Sequence, residues 1–383
     1  MKRVKNILIA PDKFKFTLSA NEVVEHVSSV LEYHKDVNIY KIPLADGGEG
    51  TSVILSDFFN AKKVDILVNN PLLKKINTYY FFSEENKTAI IDFSSASGLQ
   101  LLTKNEQNPM FTTSYGSGEI ILDAIKKSAN KIIIGLGGSA TNDFGIGAAN
   151  ALGYRFLDDN GEELLPIGKN MIYVSDIDDS SVITSLNDVE FISLCDVENV
   201  LFGKKGAAHI FAKQKGASNA EIDCLDRGLQ NISNIVKNKY TKDTSYVIGG
   251  GAAGGFGAGA FTLLNASLKK GSDFIFDTIN IDDYIKNCDL IITGEGKFDA
   301  QSLDGKLVGQ LIKKADFYKK PIVIVCGISE LKKEDVNSKY LHSVLPLFKE
   351  DVDIEFAKKN TKQMLFKRIA EVVADFNLDN LKR

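Results

Sequence analysis

Five short stretches of this chain crowd glycine, acid, hydroxyl and lysine residues together, and nearly all of them follow an apolar, β-branched run. The first is Ala10-Pro11-Asp12-Lys13-Phe14-Lys15. Open parallel sheets bind ligands outside the carboxyl ends of their strands, so two ammonium groups and a carboxylate there suit an anionic substrate. An ordinary strand–helix turn with solvated lysines would read the same way. The second is Asp46-Gly47-Gly48-Glu49-Gly50-Thr51. Its three glycines let backbone amides approach a ligand while two acids face it, where a plain hairpin would need only one or two glycines. The third is Gly135-Leu136-Gly137-Gly138-Ser139-Ala140-Thr141-Asn142-Asp143, leading into an expected helix. Such a turn makes a nest of amides that binds phosphate, with Gly137, Gly138, Ser139, Thr141 and Asn142 as candidates. The run Gly249–Gly255 offers Gly251 and Gly254 for the same task, although small residues also permit close packing of elements. The fourth stretch is Cys195-Asp196-Val197-Glu198-Asn199, in which Asp196 ends a strand and suits a general base or metal ligand. The fifth is Thr293-Gly294-Glu295-Gly296-Lys297-Phe298-Asp299, with Lys306 a little further on.

What is missing narrows the chemistry. There is no G-x-x-x-x-G-K-[ST], H-E-x-x-H, G-x-S-x-G or H-R-D pattern. His26, His34, His209 and His342 are scattered, which disfavours a histidine metal site or triad. The chain has no Trp, a net charge of −4 and no basic–aromatic interleaving, so nucleic acid is not an expected partner. Asp, Glu, Lys, hydroxyls and backbone amides remain, a palette that fits phosphoryl transfer, where positioning and charge neutralisation do most of the catalysis. Two other classes stay open. Gly135, Gly137 and Ala140 match G-x-G-x-x-[GA], as does the 249–254 run, which admits a nicotinamide-dependent dehydrogenase of a small hydroxy acid. Neither match shows a clear acid on a second strand about 20 residues on. A non-catalytic sugar-acid binding protein is the other alternative.

Elements must bring these loops into place. The length of 383 residues suggests two domains, and 44% apolar with 25% charged residues is ordinary globular usage. Apolar runs at 6–10, 89–93, 131–134, 191–194, 246–248, 290–293 and 322–326 read as strands of a sheet covered on both faces, the parallel α/β arrangement. Amphipathic stretches at 19–31, 117–128, 220–236, 306–315 and 352–376 read as helices. In the last, Ile354, Phe356, Met364, Ile369 and Val373 supply the apolar residues. The two ends alternate strand and helix simply, as in a doubly wound sheet, while the middle holds most glycines and the Tyr79–Phe82 aromatic run. We therefore expect one α/β domain from residues 1–60 plus 288–383 and a second α/β domain, 61–287, inserted into it. No apolar run reaches the ~20 residues of a membrane helix, and Pro11 cuts the N-terminal run too short for a secretory signal. Four widely spaced cysteines read as reduced thiols, so a cytoplasmic protein with no membrane association is expected.

Taken in order, these loops resemble the glycerate kinase type-1 family. The resemblance runs essentially end to end. It rests on APDKFK at the start, PLADGGEGT at 43–51, TSYGSGE at 113–119, GLGGSATNDFG at 135–145, CDVENVLFGKKGAA at 195–208, AKQKGAS at 212–218, GGGAAGGFGAG at 249–259 and TGEGKFDAQSLDGK at 293–306. It implies an ATP-dependent kinase of D-glycerate, with 2-phosphoglycerate the more expected product and 3-phosphoglycerate the less. It also implies two α/β domains, one flavodoxin-like and built from both chain ends, the other inserted. This chain departs from the family in a few places. Lys13 and Phe16 stand where the family's Ser-Phe-Lys-Gly-Ser has serine and glycine, Val200 replaces a proline, and Lys297 replaces an arginine and loses its bidentate fork.

For such a reaction, Lys13, Lys15 and Lys297, with Asp12 beside them, are the expected substrate-binding residues, and Lys306 is a further cation. Asp46 and Asp196 are the candidate bases for the attacking hydroxyl. Mg²⁺ on the ATP phosphates would use Glu295 or Asp299.

Overall fold

The computed structural model describes residues 5–15, 17–34 and 36–376; Phe16 lies outside the described residues. The strands in chain order are β1 (Lys5–Ile9), β2 (Val37–Lys41), β3 (Lys62–Asn69), β4 (Lys75–Ser83), β5 (Thr88–Asp92), β6 (Lys131–Gly135), β7 (Arg155–Leu157), β8 (Asp176–Asp178), β9 (Glu190–Leu194), β10 (Ser267–Lys269), β11 (Leu290–Phe298), β12 (Ile322–Ser329) and β13 (Leu341–Pro346). The chain folds as two compact units, one from Met1–Asp46 with Ile275–Arg383 and one from Gly47–Phe274.

In the first unit all five strands are parallel, in the order β13-β12-β11-β1-β2. Numbered within the unit alone, that is 5-4-3-1-2, the flavodoxin-like order, whose switch point lies between β1 and β11. Ile7, Ile9, Leu290, Ile292, Val323 and Val325 fill its core against two helices. The first, Ala20–Leu31, opens with a reciprocal cap between Ser19 and Glu22 and buries Val23, Val24, Val27, Val30 and Leu31. The second, Ile354–Asp375, buries a stripe at Ala357, Thr361, Leu365, Ile369, Val372 and Val373. The expected apolar face holds only in part, because Ile354 and Phe356 fall off that stripe and are exposed.

In the second unit the order is β10-β9-β6-β5-β4-β3. The run β10-β9-β6-β5 is parallel, and β4 and β3 extend it as an antiparallel hairpin. The Tyr79–Phe82 run lies in β4, where strand alternation buries Tyr80 and Phe82 and turns Tyr79 outward. The helices Tyr115–Lys126 and Asn219–Tyr240 carry the two amphipathic patterns of this region.

Two sequence expectations differ from the structure. Residues 246–248 form no strand: they lie in turns, with the Val247 amide on Thr244 O and the Gly250 amide on Val247 O, and Tyr246 and Ile248 are exposed. Three β-branched or aromatic residues without a strand to pair with are simply a loop. The unit limits also fall earlier in the chain than 60/61 and 287/288. The helix Thr51–Phe58 packs on β4 and β5 of the inserted unit, whereas the helix Ile281–Asn287 packs on β1 and on the helix Leu307–Tyr318. Among the described residues no helix is long and apolar enough to cross a membrane.

Candidate functional site

The first unit gathers three acids at its switch point. Parallel pairing continues past the end of β1, because the Ala10 amide donates to Ile292 O and the Asp12 amide to Gly294 O, both at 2.8 Å. The segment after β2 is tied to the same edge, with Ile42 N on Ile9 O and Leu44 N on Pro11 O at 2.9 Å. These bonds bring Asp12, Asp46 and Glu295 near enough for their charges to interact. Burial and then the Asp46 carboxylate push the Asp12 carboxyl up to about 8, against the opposing pull of Lys13, whose amide donates to Asp12 Oδ1 at 2.7 Å. Burial pushes Glu295 up to about 7, with Asp299 and Asp46 adding to the shift while the Ser302 hydroxyl and Lys306 oppose it. Both shifts follow from withdrawing like charges from water. Glu295 Oε1 is buried and accepts no hydrogen bond among the described residues.

Other expected residues of this unit are engaged differently. Lys297, at the end of β11, meets Glu330 at 2.5 Å and Asp299 at 3.5 Å. Asp299 Oδ1 accepts the amides of Gln301 and Ser302 at 3.0 and 3.3 Å and so caps the short helix Ala300–Leu303. Lys13 is half-buried beside Asp12, and Lys15 is exposed. Among the described residues no three His, Cys, Asp or Glu side chains form a group that could hold a metal ion.

In the second unit the glycine-rich turn follows β6. Its backbone is pinned where Leu99 N donates to Gly138 O at 2.9 Å, Ala140 N to Ser97 O at 2.8 Å and Thr112 Oγ1 to Ala140 O at 3.0 Å. Gly138 is exposed and Gly137 half-buried, whereas Ser139, Thr141 and Asn142 are buried. Thr141 Oγ1, Asn142 Oδ1 and Asn142 Nδ2 have no hydrogen-bond partner among the described residues. The 249–255 run closes over this turn from behind. Gly254 has φ +68°, and a Cβ there would stand 2.0 Å from Thr141 O, so only glycine permits the approach. Gly251 donates its amide to Asn199 O at 2.9 Å, in the segment that follows Asp196. Asp196 is half-buried and accepts from the Ser272 amide and hydroxyl at 3.3 and 3.4 Å.

Three residues of this unit escaped sequence reasoning as functional candidates. Asp92, the last residue of β5, fixes the Gly47–Gly50 loop by accepting the Gly50 amide at 3.0 Å and the Ser52 amide at 2.9 Å. Asp143 is wholly buried and accepts from the Ser114 amide and hydroxyl and from the Gly145 and Gly147 amides; burial pushes its carboxyl up while those bonds oppose the shift. Lys215 is buried at 3% exposure, and burial holds its ammonium down to about 7 against the pull of Asp143. Its Nζ donates to Ser139 Oγ at 2.8 Å and Thr141 O at 2.7 Å. Within Lys213-Gln214-Lys215 nothing local separates the buried lysine from its exposed neighbour.

Amide-rich turns that can hold phosphate oxygens and acids that can accept a hydroxyl proton suit phosphoryl transfer to an alcohol. Comparison with known proteins agrees. The model of the glycerate kinase family matches residues 7–377. The glycerate 2-kinase of Escherichia coli (strain K12) is 39% identical over 343 residues, covering 89% of each chain. The glycerate kinase of Bacillus cereus is 36% identical over 370 residues, covering 96% of this chain and 97% of the relative. A crystal structure assigned as glycerate kinase 2 from Salmonella typhimurium LT2 superposes with a TM-score of 0.85 at 33% identity, covering 98% of this chain and 99% of that one. The chain therefore belongs to the glycerate kinase family and is a phosphotransferase whose acceptor is an alcohol group.

Proposed function

We propose that this protein transfers the γ-phosphoryl group of ATP to the 2-hydroxyl of D-glycerate in the cytoplasm, releasing 2-phosphoglycerate and ADP. The observation that carries the reading is the grouping of Asp12, Asp46 and Glu295 at the β1/β11 switch point. The name of the Escherichia coli relative, a glycerate 2-kinase, supports the choice of hydroxyl. Four free cysteines, two of them buried, fit a reducing compartment.

An alcohol is a poor nucleophile until a base accepts its proton as the new oxygen–phosphorus bond forms. Asp46 is the base in this reading. Asp12, held at about 8, keeps its proton at neutral pH, so its carboxyl is a donor toward the substrate rather than the base, while its Oδ1 accepts from the Lys13 amide. Asp196 is the second candidate, and its bonds to Ser272 favour an anchoring role. Lys13, beside Asp12, answers the glycerate carboxylate, with Lys15 as the outer cation. Lys297 is drawn toward Glu330 and Asp299, which makes it the weaker contributor.

Mg²⁺ commonly binds through one or two carboxylates together with substrate phosphates and water. The unpartnered buried Oε1 of Glu295 fits that role, with Asp299 nearby, and the ion would neutralise charge developing on the transferred phosphoryl oxygens. The turn at half-buried Gly137 and exposed Gly138, backed by Ser139, Thr141, Asn142, Gly251 and Gly254, is the proposed phosphate cradle.

The deciding experiment is ADP release on mixing D-glycerate with Mg-ATP, followed by phosphorus NMR of the product. A 2-phosphate monoester is expected. No ADP release, or thermal protection by NADH and not by ATP, would overturn the reading.

A further inference from the structure

Among the described residues, Lys215 is the one lysine or arginine that is buried. It ends the single turn Lys213–Lys215, which follows a wide five-residue helical turn, Ala208–Ala212. Gly216 then reverses the chain at φ +100°, where a Cβ would stand 1.9 Å from Gln107 O. The backbone is therefore locked on the far side of the lysine, and its Nζ is held against the glycine-rich turn, 2.8 Å from Ser139 Oγ and 2.7 Å from Thr141 O.

An ammonium group donates hydrogen bonds and accepts none. Ser139 Oγ must then be the acceptor, which leaves its hydroxyl hydrogen for another acceptor and polarises it as a donor. Phosphate oxygens are acceptors. The same Nζ draws the Thr141 carbonyl inward, away from the exposed face at Gly138. The other anchors of the turn, Leu99, Ser97 and Thr112, act on its backbone alone. Three further polar atoms of the turn, on Thr141 and Asn142, are buried without a partner among the described residues. Buried polar side chains are ordinarily hydrogen-bonded, so the turn depends heavily on the few side-chain bonds it does make.

We propose that Lys215 is a positioning residue for the nucleotide: it fixes Ser139 as a hydrogen-bond donor toward a phosphate oxygen and holds the Gly137–Asn142 turn in its receptive shape. The inference rests on the reading of that turn as the phosphate cradle. Lys215 does not touch the substrate itself.

The test uses the full chain with Lys215→Met, Lys215→Gln, Ser139→Ala and the double variant Lys215→Met/Ser139→Ala, each first checked for a wild-type-like melting transition. Either Lys215 variant that folds is read. Loss of one charge-assisted bond should raise the KM for ATP by about tenfold, with the KM for D-glycerate unchanged. Because Lys215 acts through Ser139, the double variant should lose no more than the worse single variant. A wild-type KM for ATP in a folded Lys215 variant, or losses that multiply in the double variant, would overturn the proposal. Hydrogen exchange of the 135–143 peptide with and without Mg-ATP separates this from its parent reading. If the wild-type peptide gains no protection, the turn is not the phosphate cradle and both fail. If it gains protection but Lys215→Met shows the same KM and the same protection, only the role of Lys215 fails.

Discussion

The carboxylate of Asp92 holds Ser52 twice: the Ser52 amide donates to Oδ1 at 2.9 Å and its hydroxyl to Oδ2 at 3.0 Å. The Gly50 amide joins Oδ2 at 3.0 Å, so one buried acid ends β5 and starts the helix Thr51–Phe58. Asp92→Ala leaves three donors without their acceptor. Each buried group left unpaired costs about 1–3 kcal/mol, so the loss should be on the order of 3 kcal/mol after partial rescue by water. Denaturant unfolding measures it, and an unchanged midpoint would show that the loop holds itself.

Asp46 stands just before that loop, and its charge acts on both Asp12 and Glu295. Asp46→Asn should lower kcat by at least about 100-fold, the usual range for loss of a general base. Asp196→Asn should cost stability more than turnover. The reverse pattern, with kcat lost in Asp196→Asn and kept in Asp46→Asn, would exchange their roles.

The raised carboxyls make stability depend on pH. The folded protein keeps protons on Asp12 to about 8 and on Glu295 to about 7, whereas the unfolded chain releases them near 3.8 and 4.5. Between those limits the folded state binds more protons, so stability falls as pH rises. The contribution is full below the unfolded values and is lost once pH has passed the folded ones. Asp12→Asn and Glu295→Gln should therefore gain melting temperature relative to wild type as pH is raised from about 5 to about 9. A constant difference across that window would mean the carboxyls titrate normally.

The lysines should separate by substrate. Lys13→Ala removes the cation beside Asp12 and should raise the KM for D-glycerate about tenfold, as expected for a charge-assisted contact. Lys297→Ala leaves Glu330 and Asp299 without their shared cation at a solvent-screened position, which should change that KM little. Steady-state kinetics on both variants decides; equal effects would return Lys297 to the substrate.

Gly254→Ala forces a Cβ against Thr141 O at a backbone angle that disfavours alanine. The strain should exceed about 1 kcal/mol and should raise the KM for ATP, because the same contact backs the phosphate turn. Thermal melting with ATP titration reads both effects.

The legible parts of this molecule are those in which a local pattern coincides with a tertiary role. Apolar runs such as 290–293 mark buried parallel strands because both faces are covered, and the Ser19–Glu22 cap marks a helix start. The acids Asp12, Asp46, Asp196 and Glu295 are marked by their places in loops, nearly all after expected strands, and the structure groups three of them, Asp12, Asp46 and Glu295, within reach of one another's charge. The edge hairpin β3–β4 escaped because Lys62–Asn69 alternates exposed and half-buried residues. Residues 246–248 misled for the opposite reason, having strand-forming side chains with no strand to pair with. Lys215 and Asp92 were not singled out because their importance lies in burial and partners distant in sequence, Ser139 and Thr141 for one, Gly50 and Ser52 for the other.

The register that pairs Ile7 with Leu290 sets a timetable for synthesis. When β1 and β2 leave the ribosome, the strand that belongs between β1 and β12 has not yet been translated. The inserted unit, a continuous stretch of chain, can condense first, while the N-terminal strands wait with one edge unsatisfied. Interruption of translation before residue 290 would strand an adhesive β-edge, so nascent chains of this length should be the ones most in need of chaperone protection.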